Sequence, residues 1–194
     1  MRWLCPLCRR LPWTCACPPG SPVTKTTSGG LWAAALAWHE PPWSLFVQRL
    51  KYGEETFLAE WLGAWLSSAL EVFPREVALV PVPLHERKLA DRGYNQAALI
   101  ARASAKKRGT KVLFDGLVRV KETDAQAQLS AEERTKNLAS GFAATRSFAG
   151  LPLIIVDDVV TTGATSDALC DAIVKAGGTV LGVVSVTLAR PIGL

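Results

Sequence analysis

Four apolar residues, Leu153 to Val156, run without interruption into two carboxylates, Asp157 and Asp158, and then into Val159-Val160-Thr161-Thr162-Gly163-Ala164-Thr165. A short continuous apolar run marks a strand buried on both faces, and such a strand needs a sheet with helices on each side. Helical spacing follows from Ser166 to Ala176 and stops at Gly177-Gly178. The same alternation predicts further strands at Val77–Val82, Val112–Leu113 and Val180–Thr187, with a helix at Gln96–Lys107. The fold class is therefore α/β, a mainly parallel sheet flanked by helices. Upstream, Leu31–Trp38 reads as a buried strand, and Trp43 through Leu70 carries apolar residues at helical spacing, including Leu58, Trp61, Leu62 and Trp65. All seven tryptophans lie at or before residue 65. Such residues can stack on nucleobases, but at i, i+4 spacing on an apolar stripe they read first as core.

The turn after the aspartates carries chemistry. Consecutive small residues let backbone N–H groups converge, the hydroxyls of Thr161, Thr162 and Thr165 add donors, and a helix N-terminus adds partial positive charge. A phosphate fits such a loop. Two carboxylates beside a phosphate need another partner, and sugar hydroxyls supply donors for them. Phosphate next to a diol is a ribose 5-phosphate. The sequence has neither the lysine of GxxxxGK[ST] nor a GxGxxG here, which sets aside the common ATP and dinucleotide loops. The plainer alternative is a strand, turn and helix whose threonines only cap the helix, with the aspartates solvated at the strand end.

A chain of 194 residues is about one domain plus a remnant. The remnant is residues 1–30, which hold Cys5, Cys8, Cys15 and Cys17, several prolines, and a Thr26-Thr27-Ser28-Gly29-Gly30 stretch that reads as a linker; residues 31–194 form the main domain. Apolar residues make up 49% and charged residues 20%, which excludes a mostly disordered chain. The longest apolar run, Leu31–Trp38, is far short of the ~20 residues that span a bilayer, so no membrane insertion is expected, and with Pro6, Arg9 and Arg10 breaking the first residues no export signal is expected either. A cytoplasmic protein is expected, and there a cysteine cluster suggests metal before disulfide. The net charge of +5 is concentrated in two places. No acid precedes Glu40, and Arg92, Arg102, Lys106, Lys107, Arg108 and Lys111 sit in an acid-free stretch, so anionic partners, phosphorylated small molecules or nucleic acid, fit. At the end of a helix those charges also simply complement its dipole.

The Leu153–Thr165 stretch resembles the 5-phosphoribosyl-1-pyrophosphate (PRPP) signature of type I phosphoribosyltransferases. Together with Leu50-Lys51-Tyr52-Gly53, Val80-Pro81-Val82-Pro83-Leu84-His85, Arg92-Gly93-Tyr94-Asn95-Gln96, Leu129 and Glu133-Arg134-Thr135-Lys136-Asn137-Leu138, it resembles the ComF family over roughly residues 45–190. The resemblance implies a type I phosphoribosyltransferase fold that binds PRPP or ribose 5-phosphate. Asp157 and Asp158 would meet the ribose hydroxyls, and Thr161, Thr162, Gly163, Ala164 and Thr165 the 5-phosphate. Arg87, Lys88 and Arg92, after the Val80–Pro83 strand, are candidates for pyrophosphate, with a solvated basic loop as the alternative. Residues 121–137 look like a hood, with Arg134 and Lys136 as candidate clamps. The implied reaction, at home in nucleoside metabolism, displaces pyrophosphate from ribose C1 by an unidentified nitrogen nucleophile, with Mg²⁺ bridging pyrophosphate and ribose oxygens; no catalytic residue is assigned. Family members are associated with DNA uptake in natural competence. A rival reading is a non-catalytic module that senses PRPP or a nucleotide and contacts single-stranded DNA or competence proteins.

Cys5-x-x-Cys8 is a good half of a structural Zn²⁺ site, whereas Cys15-Ala16-Cys17 is one residue tighter than the usual second half. Cys170, in an amphipathic helix, reads as core, and the isolated His39 and His85 read as structural. If the four N-terminal cysteines share one ion, protein purified without chelators carries about one zinc per chain. Metal analysis that finds none, with all four thiols reactive, would assign an unliganded appendage instead.

Overall fold

The strand that begins near Leu153 lies at the centre of a sheet. The structure, a computed structural model, describes Cys5, Leu7, residues 21–120 and residues 141–190. Cys8, Cys15, Cys17, Arg134 and Lys136, and the expected hood as a whole, lie outside the described residues. In chain order the elements are β1 (Val23–Thr26), β2 (Trp32–Trp38), α1 (Trp43–Tyr52), α2 (Leu58–Leu66), β3 (Ala78–Pro81), α3 (Glu86–Arg92) and α4 (Gln96–Arg108). They continue with β4 (Lys111–Val112), β5 (Leu117–Arg119), β6 (Phe142–Ala144), β7 (Pro152–Val160), α5 (Ala164–Lys175) and β8 (Thr179–Leu188).

Six of these strands form one sheet in the order β1-β2-β8-β7-β3-β4, and β5 pairs with β6 in a second, two-stranded sheet. All pairs in the large sheet are parallel except β1 with β2. Both faces are covered, as the uninterrupted apolar runs require. On one face Ala34, Leu79, Ile154, Val156 and Val184 pack with α1, α2 and α4; on the other, Ala33, Val80, Leu153, Ile155 and Val183 pack with α5 and the β5–β6 pair. Leu153, Ile154 and Ile155 are fully buried, and each such side chain contributes about 1.5–3 kcal/mol of transfer free energy. Trp43 and Trp65 are buried edge to face, 5.6 Å between ring centroids, so the core reading holds for them. No helix among the described residues is long and apolar enough to cross a membrane.

Three differences from the sequence reading bear on the site. Residues 23–26, expected in an appendage and linker, are the antiparallel edge strand of the main sheet. The basic segment after β3 is helix α3, whose N-cap His85 accepts through Nδ1 from the Arg87 backbone N–H at 3.3 Å. Finally, β7 extends to Val160, so the aspartates lie inside the strand, with Asp157 9% and Asp158 3% exposed. The alternative with solvated aspartates is thereby excluded.

Helices α2 and α4 meet at small residues. The Ser104 hydroxyl donates to Gly63 O at 2.9 Å, and a Cβ at position 63 would stand 2.5 Å from both Ala103 Cβ and Ile100 O. Gly63→Ala gains up to about 1 kcal/mol in helix propensity but overpacks this crossing at about 1–3 kcal/mol. The expected result is a lower urea midpoint. An unchanged midpoint would show that the two helices separate at no cost.

Candidate functional site

Chain direction locates the site. After β3 the chain passes through α3 and α4 to β4 on one side; after β7 it passes through α5 to β8 on the other. The two crossovers leave adjacent parallel strands in opposite directions and cover opposite faces. The C-terminal ends of β3 and β7 therefore flank a crevice of the kind in which open α/β sheets bind ligands. The signature residues follow β7 into this crevice, and α3 follows β3.

Two adjacent carboxylates buried within a strand are costly unless something offsets their charge. Lys51, in the last turn of α1, places Nζ 2.9 Å from Asp158 Oδ2. The approach is off hydrogen-bond alignment, so the contact is an ion pair held mainly by charge. Alternation along the strand turns Asp157 to the other side. There Arg119 of β5 adds positive charge, with its guanidinium over the Phe142 ring at 5.5 Å. Burial lowers Arg119 from its ordinary value and the Asp157 charge opposes that shift. Asp157 also accepts from the Asp158 backbone N–H at 2.8 Å. Burial, and then the neighbouring Asp158 charge, push the Asp157 carboxyl well above its ordinary 3.8, against the pull of Lys51.

The turn is shaped from outside. Thr161 and Thr162 are exposed, while Gly163 is buried at φ 92° and serves as N-cap of α5. A Cβ at position 163 would collide with the Thr27 side chain, so both the backbone conformation and the space require glycine. The segment after β1 clamps the turn. Ser28 N–H donates to Thr162 O at 3.0 Å, and the Lys25 ammonium donates to Thr161 O and, at 2.9 Å, to Ala189 O. Asp167, in the first turn of α5, accepts from Thr27 Oγ1 at 2.5 Å, Gly29 N–H at 2.8 Å and Ser28 Oγ at 3.0 Å. Thr162 Oγ1 accepts from Ala164 N–H at 3.3 Å. Ala164 and Thr165 are half-buried in the first helical turn, and next to them the Ser166 hydroxyl is buried without a hydrogen-bond partner.

The acid pair and the Thr161–Thr165 turn thus lie together at one end of the β7–α5 connection. Of the basic candidates, Arg87 is exposed and Lys88 half-buried on α3, while Arg92 lies over the Tyr52 ring at 5.6 Å and donates to Gln96 Oε1. Arg108 is structural: its guanidinium donates to Phe73 O and Pro74 O, each at 2.7 Å. Cys5 is buried in the same apolar cluster as α1, α2 and α4, and no metal-binding group of side chains occurs among the described residues. A concavity of about 610 Å³ beside β6 lies at the far end of α5 from the turn and has no carboxylate in its lining. Lys25, Lys51, Arg119 and Asp167 were not singled out from the sequence as site residues. Lys51 alone left a trace, as part of the Leu50-Lys51-Tyr52-Gly53 segment that carries the family resemblance.

The fold and this site define a doubly wound α/β protein with an acid pair and a small-residue turn at the switch point. No family model matches the chain. Over 145 residues it is 33% identical to the DNA utilization protein YhgH of Salmonella typhi, a match covering 72% of this chain and 64% of that protein. Competence protein F of Haemophilus influenzae is 32% identical over 145 residues, covering 70% and 63%. Competence protein ComFC of Bacillus subtilis is 27% identical over 121 residues, covering 61% and 48%. These matches support membership of the ComF family; each spans less than two thirds of the length of the relative. Among solved structures, TT1426 from Thermus thermophilus overlaps 70% of this chain and 86% of its own, with a TM-score of 0.42 and 13% identity.

The Asp157 carboxyl keeps its proton to higher pH in the folded chain than in the unfolded one. Its favourable contribution is complete below the unfolded value of 3.8 and is lost as pH rises through the raised folded value. Asp157→Asn, which mimics the protonated form, is expected to raise the urea midpoint at pH 7–8, with the advantage shrinking toward zero as pH falls below 3.8. Urea titrations at both pH extremes check this. A variant less stable than the parent at neutral pH would contradict it.

Proposed function

We propose that this protein binds the ribose 5-phosphate moiety of PRPP in the crevice between β3 and β7. There it transfers the phosphoribosyl group to a nitrogenous acceptor, in the service of DNA uptake or utilization. One observation carries the reading. Two buried carboxylates in the C-terminal half of β7 stand two residues before a glycine-dependent turn at the N-terminus of α5, at the switch point of the sheet. The turn offers hydroxyls and first-turn amides to a phosphate, and the carboxylates offer acceptors to a diol. The names of the relatives, DNA utilization and competence proteins, support the cellular setting.

In the transfer, a nitrogen lone pair forms the new bond to C1 as the C1–O bond breaks. Pyrophosphate leaves with the electron pair, and the acceptor nitrogen gives up a proton. Positive charge at C1 develops near Asp157 and Asp158, and Arg87 and Lys88 on α3 are the candidates to meet the leaving pyrophosphate. Mg²⁺ would supply charge screening on the pyrophosphate. The hard oxygen donors of the acid pair suit it through water, since Lys51 already offsets Asp158. The clamp from Lys25 and Thr27–Gly29 keeps the turn in its binding shape before ligand arrives.

Calorimetry with PRPP plus Mg²⁺, ribose 5-phosphate and inorganic phosphate tests the assignment. Removing the charge from two hydrogen-bonded carboxylates, as in Asp157→Asn with Asp158→Asn, is expected to weaken the ribosyl ligands about ten- to a hundredfold while sparing inorganic phosphate. Unchanged PRPP affinity in the double variant would overturn the reading. Binding without acceptor-dependent pyrophosphate release, across bases, ammonia and amines, would identify a sensor instead of a transferase.

A further inference from the structure

Tyr52, the last residue of α1, is 77% exposed, the most exposed large hydrophobic side chain among the described residues. An aromatic ring so open to water gains nothing from core packing, yet it is held in a defined place. The Arg92 guanidinium lies 5.6 Å from its centroid and is itself fixed by a hydrogen bond to the buried Gln96. The Tyr94 hydroxyl donates to Leu50 O at 2.5 Å, tying the last turn of α1 to the junction between α3 and α4. The preceding residue, Lys51, reaches Asp158. The ring and its guanidinium therefore stand at the edge of the crevice, on two elements locked to each other and to the acid pair.

We propose that Tyr52 and Arg92 form a stacking platform for a planar nucleobase. A phenol ring and a guanidinium plane offer two flat surfaces, one of them cationic, and these favour an electron-rich heteroaromatic ring over an aliphatic amine. Stacking on such side chains tolerates any base, because every base has a π-face. The platform deepens the phosphoribosyl reading, on which it rests for the position of the sugar: it narrows the nitrogen nucleophile to a base nitrogen. The base has two sources, a free base or nucleotide and a single strand of DNA, and both present the same ring.

The test compares four probes on the full chain and on Tyr52→Ala and Tyr52→Phe: ribose 5-phosphate, adenosine 5′-monophosphate, a short single-stranded oligonucleotide and its abasic counterpart. In the parent protein, the nucleotide should bind about tenfold or more tightly than ribose 5-phosphate. Tyr52→Ala should bring that ratio close to one, and Tyr52→Phe should retain it. A preference for the oligonucleotide over the abasic strand that is lost in Tyr52→Ala would make strand DNA a source of the base; loss confined to the mononucleotide would make it the free ligand. A nucleotide preference that survives Tyr52→Ala, or no preference for bases in the parent, would overturn the platform. If no ribose phosphate binds but Tyr52→Ala abolishes base-dependent oligonucleotide binding, the platform stands and the phosphoribosyl reading falls. If none of the probes binds, both fall.

Discussion

The site depends on burying two neighbouring carboxylates inside a central strand. Asp158 is tolerated there because Lys51 comes to it from a different layer, and Asp157 because its carboxyl holds a proton more readily than usual. Each solution constrains another part of the molecule. Lys51 must be delivered by α1, so the apolar residues Phe46, Val47 and Leu50 that seat α1 on the sheet also set the electrostatics of the site. Arg119 must be delivered by β5, so the small second sheet has a role beyond covering the core. The arrangement costs stability and keeps charge concentrated where a polar ligand would use it.

Elements that bury apolar side chains on both faces were legible from the sequence. β8, β2 and α4 appear within a residue or so of their expected limits, because uninterrupted or helically spaced apolar residues admit few other arrangements. What stayed hidden is short or polar. β1 is Val-Thr-Lys-Thr, four residues whose pairing is imposed by β2. Helix α3 buries none of its residues, so it has no apolar period to read. The acid pair and its turn were legible because they are contiguous and chemically unusual. Lys51, Arg119 and Lys25 were not, since each is an ordinary cation until the fold places it beside a partner in a distant segment. The true extent of β7 was missed because two carboxylates read as the end of a strand, and the ion pair of Asp158 with Lys51 and the raised proton affinity of Asp157 explain how the strand continues through them.

The clamp on the phosphate turn has a consequence for how the molecule reaches its working state. Lys25 and Thr161 stand 136 residues apart in sequence, and Thr27 and Asp167 stand 140 apart. Contacts of that separation close large loops and are made late in folding, after local and neighbouring pairings have formed. On the ribosome the edge strand is synthesised long before its partners and must wait for β7 and α5 to emerge. The turn takes its final shape only when the two ends of the domain have met. Ligand competence is thus postponed to the last stage of maturation, and a partly folded chain has no finished site with which to capture a phosphate.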